Sequence, residues 1–233
     1  MRDLTVKPIE SHPGRTELVY QAIVDEICEG ALPPGTHLVQ EQLAAHLGVS
    51  RQPVQQAMTL LKADGLVEQA PGRGLCVTRL DLALMQHHYE IRAALDGLAA
   101  RLAADRNAHS KAARGATLKR GKVIVEAGFA AVSSKNIKRL VRLDGEFHAF
   151  VYDCSGNALI ATTAEPHWRH LRRVMSEVLR RAETPEEIWR QHDDILKAIV
   201  SGDKEKAEAA AICHIRNAAQ SLTIAFSTEA ESA

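Results

Sequence analysis

A single glycine organises the first part of this chain. In Leu43-Ala44-Ala45-His46-Leu47-Gly48-Val49-Ser50-Arg51-Gln52-Pro53-Val54 two short helical patterns meet at Gly48, a residue that permits the tight left-handed corner two crossing helices need. The spacing predicts a helix over Glu41–Leu47. A second starts behind Ser50, a good N-cap, with Pro53 tolerated in its first turn and Val54, Ala57, Met58 and Leu61 on one face. An earlier helix is expected from Arg15, with Leu18, Ala22, Ile23 and Ile27 as its stripe and Gly30 as its end. Beyond Gly65 come two β-prone pieces, Leu66–Gln69 and Leu75–Thr78. The stretch Ala70-Pro71-Gly72-Arg73-Gly74 between them has the composition of a hairpin turn.

The helix after Gly48 presents Arg51, Gln52, Gln55 and Gln56 at its exposed start. Arginine suits guanine edges or phosphate, and glutamine suits adenine edges in the major groove. A helix pair that merely packs its own core, with these residues solvated, gives the same pattern. Bulk charge does not choose between the two. The chain carries 29 basic and 29 acidic side chains, and residues 1–80 hold seven Lys/Arg against nine Asp/Glu. A nucleic-acid role must therefore rest on local geometry, including the attraction of a helix N-terminus for phosphate.

The stretch LAAHLGVSRQPVQQAMTLLKADGLVEQAPGRGLCV resembles the winged helix-turn-helix of GntR-type regulators, with the match spanning about residues 15–79. The resemblance implies that Arg51 contacts DNA and that Arg73 and Gly74 belong to a wing near the minor groove. Two positions depart from the family pattern. Gln55 stands where a second recognition-helix arginine is usual, and Glu41 stands where some members carry arginine.

After Arg79 the strand signals vanish. Asp81 caps an expected helix to about Asp105, with Ile91, Leu95, Leu98 and Leu102 as its stripe. Residues 107–135 hold a basic run and few apolar positions, and read as one helix with a loose end. Further helices fit Asn136–Asp153, Asn157–Arg181, Thr184–Val200 and Asp203–Phe226. Several polar residues fall on the apolar stripes of these helices: Asp144 and His148 one turn apart, then His192, then His214. Buried without partners, such groups cost a few kcal/mol. They become tolerable if they meet one another, and a divalent metal would satisfy all four. The plainer alternative is an intrahelical Asp–His pair and singly hydrogen-bonded histidines. His167 and His170 form another same-face pair, read as solvated.

The D-x-x-x-H pattern, the following Gly-Asn, a His before DDILKAIVSGDKEKA and a final His-Ile are similar to the ligand-binding FCD domain of the FadR subfamily, over roughly residues 81–226. The resemblance implies a mainly α protein: a winged helix-turn-helix of three helices plus a β-hairpin, then an antiparallel all-α bundle. It also implies that Asp144, His148, His192 and His214 bind a metal, for which nitrogen-rich ligation with one carboxylate suits Zn or Ni. Arg92 corresponds to a family arginine near the effector, although a surface Arg92–Asp96 pair explains it equally well.

These readings predict a flexible tail at 1–14, a DNA-binding domain at 15–79, a helical effector and metal domain at 80–226 and a tail at 227–233. The expected protein is a homodimeric regulator, a repressor by family habit, that binds a double-stranded operator and answers to a small molecule, with a carboxylate favoured. A metal-dependent hydrolase using the Asp/His cluster, or the same regulator without a metal, remain as alternatives. Four scattered cysteines, Cys28, Cys76, Cys154 and Cys213, point to buried thiols in a reducing compartment. With no apolar leader in Met1–Arg15 and no apolar run of about 20 residues, a cytoplasmic protein without membrane contact is expected.

Overall fold

The computed structural model describes residues 14–72, 74–181 and 185–230, with the side chains of 176–181, 225 and 227–230 left aside. The chain divides into two compact units, Met1–Arg79 and Leu80–Ala233.

In the first unit, helix α1 (Arg15–Cys28), strand β1 (His37–Leu38), helices α2 (Gln40–Leu47) and α3 (Arg51–Ala63), and strands β2 (Val67–Gln69) and β3 (Leu75–Val77) follow in order. Gly48 caps α2 in the left-handed region at φ 64°, which turns the chain sharply into α3. Ser50 occupies the N-cap of α3, but its hydroxyl makes no capping hydrogen bond. Val54, Ala57, Met58 and Leu61 are buried as the spacing predicts. They pack on Val19, Ile23, Val24 and Ile27 of α1 in one core. Leu18 is an exception to the expected α1 stripe. It is 58% exposed, because Val19, Tyr20, Val24 and Cys28 share the inward arc with Ile23 and Ile27. The β-hairpin also gains a partner. His37–Leu38 adds a strand beside β3, giving a three-stranded antiparallel sheet of order β1-β3-β2. Two residues are too short to leave an alternating pattern.

The second unit is all helix: α4 (Leu82–His109), α5 (Lys111–Ser133), α6 (Ile137–Ser155), α7 (Ala158–Arg181), α8 (Pro185–Ser201) and α9 (Lys204–Ala230). Side-chain caps open several of them. Asp81 accepts from the Leu84 amide at 3.0 Å, Ser110 from Ala113 at 3.1 Å and Asn136 from Arg139 at 3.0 Å. Helix α4 packs against all five others. Its inward face is Ala99, Ala100, Ala103 and Ala104 together with Arg92, Asp96 and Asn107. The expected stripe is therefore corrected in part: Ile91 and Leu98 face solvent, whereas Leu95 and Leu102 pack against the core. The single helix expected within residues 107–135 is there as α5, preceded by the end of α4 and a one-residue break at Ser110 in place of the loose end. That helix buries Thr117, Gly121, Val125, Gly128 and Ala131. A Cβ on Gly128 would lie 2.1 Å from the Trp189 ring, and one on Gly121 would lie 2.4 Å from Leu196. The two glycines thus set how closely α8 approaches. Helix α9 continues to Ala230, past the Phe226 boundary expected from sequence. Residues 1–13, Thr184 and 231–233 lie outside the described residues. Among the described residues no helix is long and apolar enough to cross a membrane.

Candidate functional site

The four polar residues on the apolar stripes of three helices converge in the second unit. Asp144 and His148 of α6, His192 of α8 and His214 of α9 are all buried, and each offers a ligand atom within 4.8 Å of the others. His192 Nε2 lies 3.2 Å from His214 Nε2 and 3.4 Å from Asp144 Oδ1. His148 Nε2 lies 3.9 Å from Asp144 Oδ2.

A second ring of residues, which the stripes did not reveal, orients the first. His148 Nδ1 meets Asp96 Oδ1 of α4 at 2.5 Å. A carboxylate only accepts, so Nδ1 carries a hydrogen and the ring is held with its Nε2 edge toward the centre. His214 Nδ1 meets Gln191 Oε1 at 2.8 Å, with the same consequence. Tyr152 donates its hydroxyl to Asp96 Oδ2 at 2.8 Å, and Trp168 Nε1 donates to that hydroxyl at 3.2 Å. Arg92 is buried and reaches Asp96 through Nε at 3.4 Å and Nη2 at 3.5 Å. Its guanidinium lies 3.7 Å over the Trp168 ring. The Arg92–Asp96 pair is therefore real, but it sits in the interior rather than on the surface.

Electrostatics favour a cation at this centre. Burial, with His214 and His148 beside it, holds His192 well below the usual imidazole range. His214 is lowered in the same way, by burial first and then by His148 and Arg92. Both rings are thus held in the neutral form, in which an imidazole can ligate. Burial pushes the Asp144 carboxyl up despite the pull of His148 and Arg92, so it lacks compensating charge. Burial alone would raise the Asp96 carboxyl too, but Arg92 and His148 against it hold it below the usual range. Asp144 Oδ2 and His148 Nε2 are buried without a hydrogen bond. Orphaned inward-facing donor atoms, neutral imidazoles and an undercompensated carboxylate fit a small divalent ion, whose bonds to imidazole nitrogen run about 2.0–2.1 Å.

In the first unit, Arg51, Gln52, Gln55 and Gln56 are all exposed at the start of α3. Arg51 is paired through Nη2 with Glu41 Oε1 of α2. The Gln56 carboxamide oxygen accepts from the Thr16 hydroxyl at 2.6 Å. At the hairpin tip Gly74 has φ 95°. Its carbonyl accepts from the Ala70 amide at 3.1 Å and from Gln69 Nε2 at 2.9 Å. Arg73 lies outside the described residues.

Residues 15–77 match the model of bacterial regulatory proteins of the gntR family, and residues 87–217 match the FCD domain. The chain belongs to the GntR family, with an FCD domain behind its helix-turn-helix. A probable D-xylose utilization operon transcriptional repressor of Paenarthrobacter nicotinovorans is 31% identical over 201 residues, which is 83% of this chain and 82% of the relative. An HTH-type transcriptional regulator of Agrobacterium vitis, from the TAR-I ttuE-ttuC' intergenic region, is 34% identical over 145 residues, 62% of this chain and 83% of the relative. Among solved structures, E. coli McbR/YncC superposes with a TM-score of 0.77 at 20% identity, covering 93% of this chain and 99% of that one, which supports the fold. The GntR assignment makes the chain a DNA-binding transcriptional regulator. It displaces the hydrolase reading, since the relatives are named as regulators of transcription and not as enzymes.

Proposed function

We propose that this GntR-family regulator is a cytoplasmic, homodimeric repressor whose operator binding is relieved or reinforced by an organic acid held in the FCD domain. Residues 15–79 read DNA and residues 80–226 sense the metabolite. Arg51, Gln52, Gln55 and Gln56 enter the major groove, while Arg73 and Gly74 approach the minor groove from the wing. The repressor sense follows the name of the Paenarthrobacter relative.

One observation carries the sensing half: the buried Asp144, His148, His192 and His214 cluster lies next to a buried arginine. These four residues hold a divalent ion, Zn or Ni by donor chemistry. When bound, such an ion supplies a Lewis-acid centre for the oxygens of a carboxylate or hydroxy acid. Arg92 presents five N–H donors, of which Asp96 engages two at long range. The remaining donors face an anion without further desolvation, since the guanidinium is already buried against Trp168. Tyr152 and Asp96 keep His148 in one tautomer and one orientation.

Footprinting upstream of the genes neighbouring its own tests the DNA half. A protected, roughly palindromic site with half-site centres about one helical turn apart is expected, and Arg51→Ala should abolish protection while its thermal midpoint is unchanged. Absence of any protected site at moderate salt sinks the proposal.

A further inference from the structure

Among residues 51–58 Arg51 is the only basic side chain, and it is not free. Its guanidinium is paired with Glu41, in the first turn of α2. Both side chains are largely exposed, 68% and 72%. The Gly48 corner brings the two helix starts together. Residues 1–80 moreover carry more acid than base. A DNA reader built this way has little general attraction for the duplex.

We infer that Glu41 is a specificity-determining residue: by holding Arg51 it penalises phosphate contacts and leaves the guanidinium fit for base edges. The inference rests on the reading of Arg51 as a DNA contact. A guanidinium offers its donors along more than one edge, so a carboxylate on one side leaves another for the paired O6 and N7 acceptors of guanine. Those acceptors carry no net charge and do not repel Glu41. A phosphate does. To take a phosphate, Arg51 must either leave Glu41 or draw a second anion against it. Non-specific binding depends on phosphate neutralisation, whereas base-edge contacts decide sequence. The carboxylate therefore weakens the non-specific mode more than the specific one. An exposed pair is weak enough to rearrange readily, so the clamp steers Arg51 without locking it.

The test uses the full chain. A duplex is selected by the wild-type protein from a random pool, and its affinity is compared with that of a mixed-sequence duplex across a salt series. For Glu41→Gln, non-specific binding should tighten about three- to fivefold at low salt, and the log–log salt slope of non-specific binding should steepen by about 0.9. Binding to the selected duplex should change less, so the specificity ratio falls. In an Arg51→Ala background the same substitution should alter neither ratio nor slope. An unchanged ratio and slope for Glu41→Gln overturns the inference. So does an equal effect in the Arg51→Ala background, which would mean simple repulsion rather than a clamp. If Arg51→Ala itself retains full affinity for the selected duplex, or no duplex is enriched, the underlying reading of α3 fails instead, and the inference falls with it. Matching thermal midpoints for all variants exclude a folding defect.

Discussion

Asp96 is engaged by Arg92 of its own helix and by His148 and Tyr152 of α6. From sequence it was half of an ordinary i, i+4 pair, and solvated helices are full of those. By contrast, Asp144, His148, His192 and His214 were legible because each interrupts an apolar stripe, where a polar residue needs a reason. The histidines of α7 carry a related lesson. His167 and His170 are only half-buried, and both pack on His88 of α4. His88 Nδ1 lies 2.9 Å from His167 Nδ1, and its ring stacks on His170 at 4.4 Å. Burial, then His170, His167 and His87 nearby, lowers His88 from 6.5 to about 4. The sign follows from linkage. Below pH 6.5 the unfolded chain binds a proton that folded His88 refuses, so its stabilising effect is present above 6.5 and lost as pH falls toward 4. Urea midpoints between pH 7 and 4 should fall less steeply for His88→Gln than for the wild type. Parallel curves would contradict this.

At the scale of elements, α5 shows why residues 107–135 resisted reading. Its buried positions, Thr117, Gly121, Val125, Gly128 and Ala131, keep helical spacing, but glycine and alanine give hydrophobic periodicity almost no amplitude. The signal was in size rather than polarity. Helix α4 was misread in part for the same reason: Ile91 and Leu98 lie outside, while Ala99, Ala100, Ala103 and Ala104 fill the core. Helix α3, with Val54, Ala57, Met58 and Leu61, was read correctly because its inward residues are large and its outward ones polar. Packing at α5 can be checked directly. Gly128→Ala places a Cβ against Trp189, and overpacking of this kind costs about 1–3 kcal/mol. Trp189 stands edge-on to His192 with ring centroids 4.7 Å apart, so the variant should also loosen the centre. A lowered urea midpoint together with weaker zinc binding is expected, and unchanged stability would refute the close approach.

For the whole molecule, two compact units and a buried donor set that falls, among the described residues, in the Leu80–Ala233 unit predict unequal responses to ions. Calorimetry of the full chain should show that adding zinc or nickel raises the transition of the Leu80–Ala233 unit and that a chelator lowers it. The transition of the helix-turn-helix unit should stay in place. An ion at about a hundredfold over its dissociation constant stabilises by about 2.7 kcal/mol. If no saturating ion shifts either transition, the centre works as a metal-free polar cluster.

The alanines of α4 have one mechanical consequence. A methyl group has no torsion to turn, so the seam formed by Ala99, Ala100, Ala103 and Ala104 cannot yield by swapping side-chain conformers. Whatever enters beside Arg92 and Asp96 has to be accommodated by the aromatic and amide groups around them, or else shift the whole rod by a fraction of an ångström. A stiff spine of this kind turns a local push into displacement instead of dissipating it.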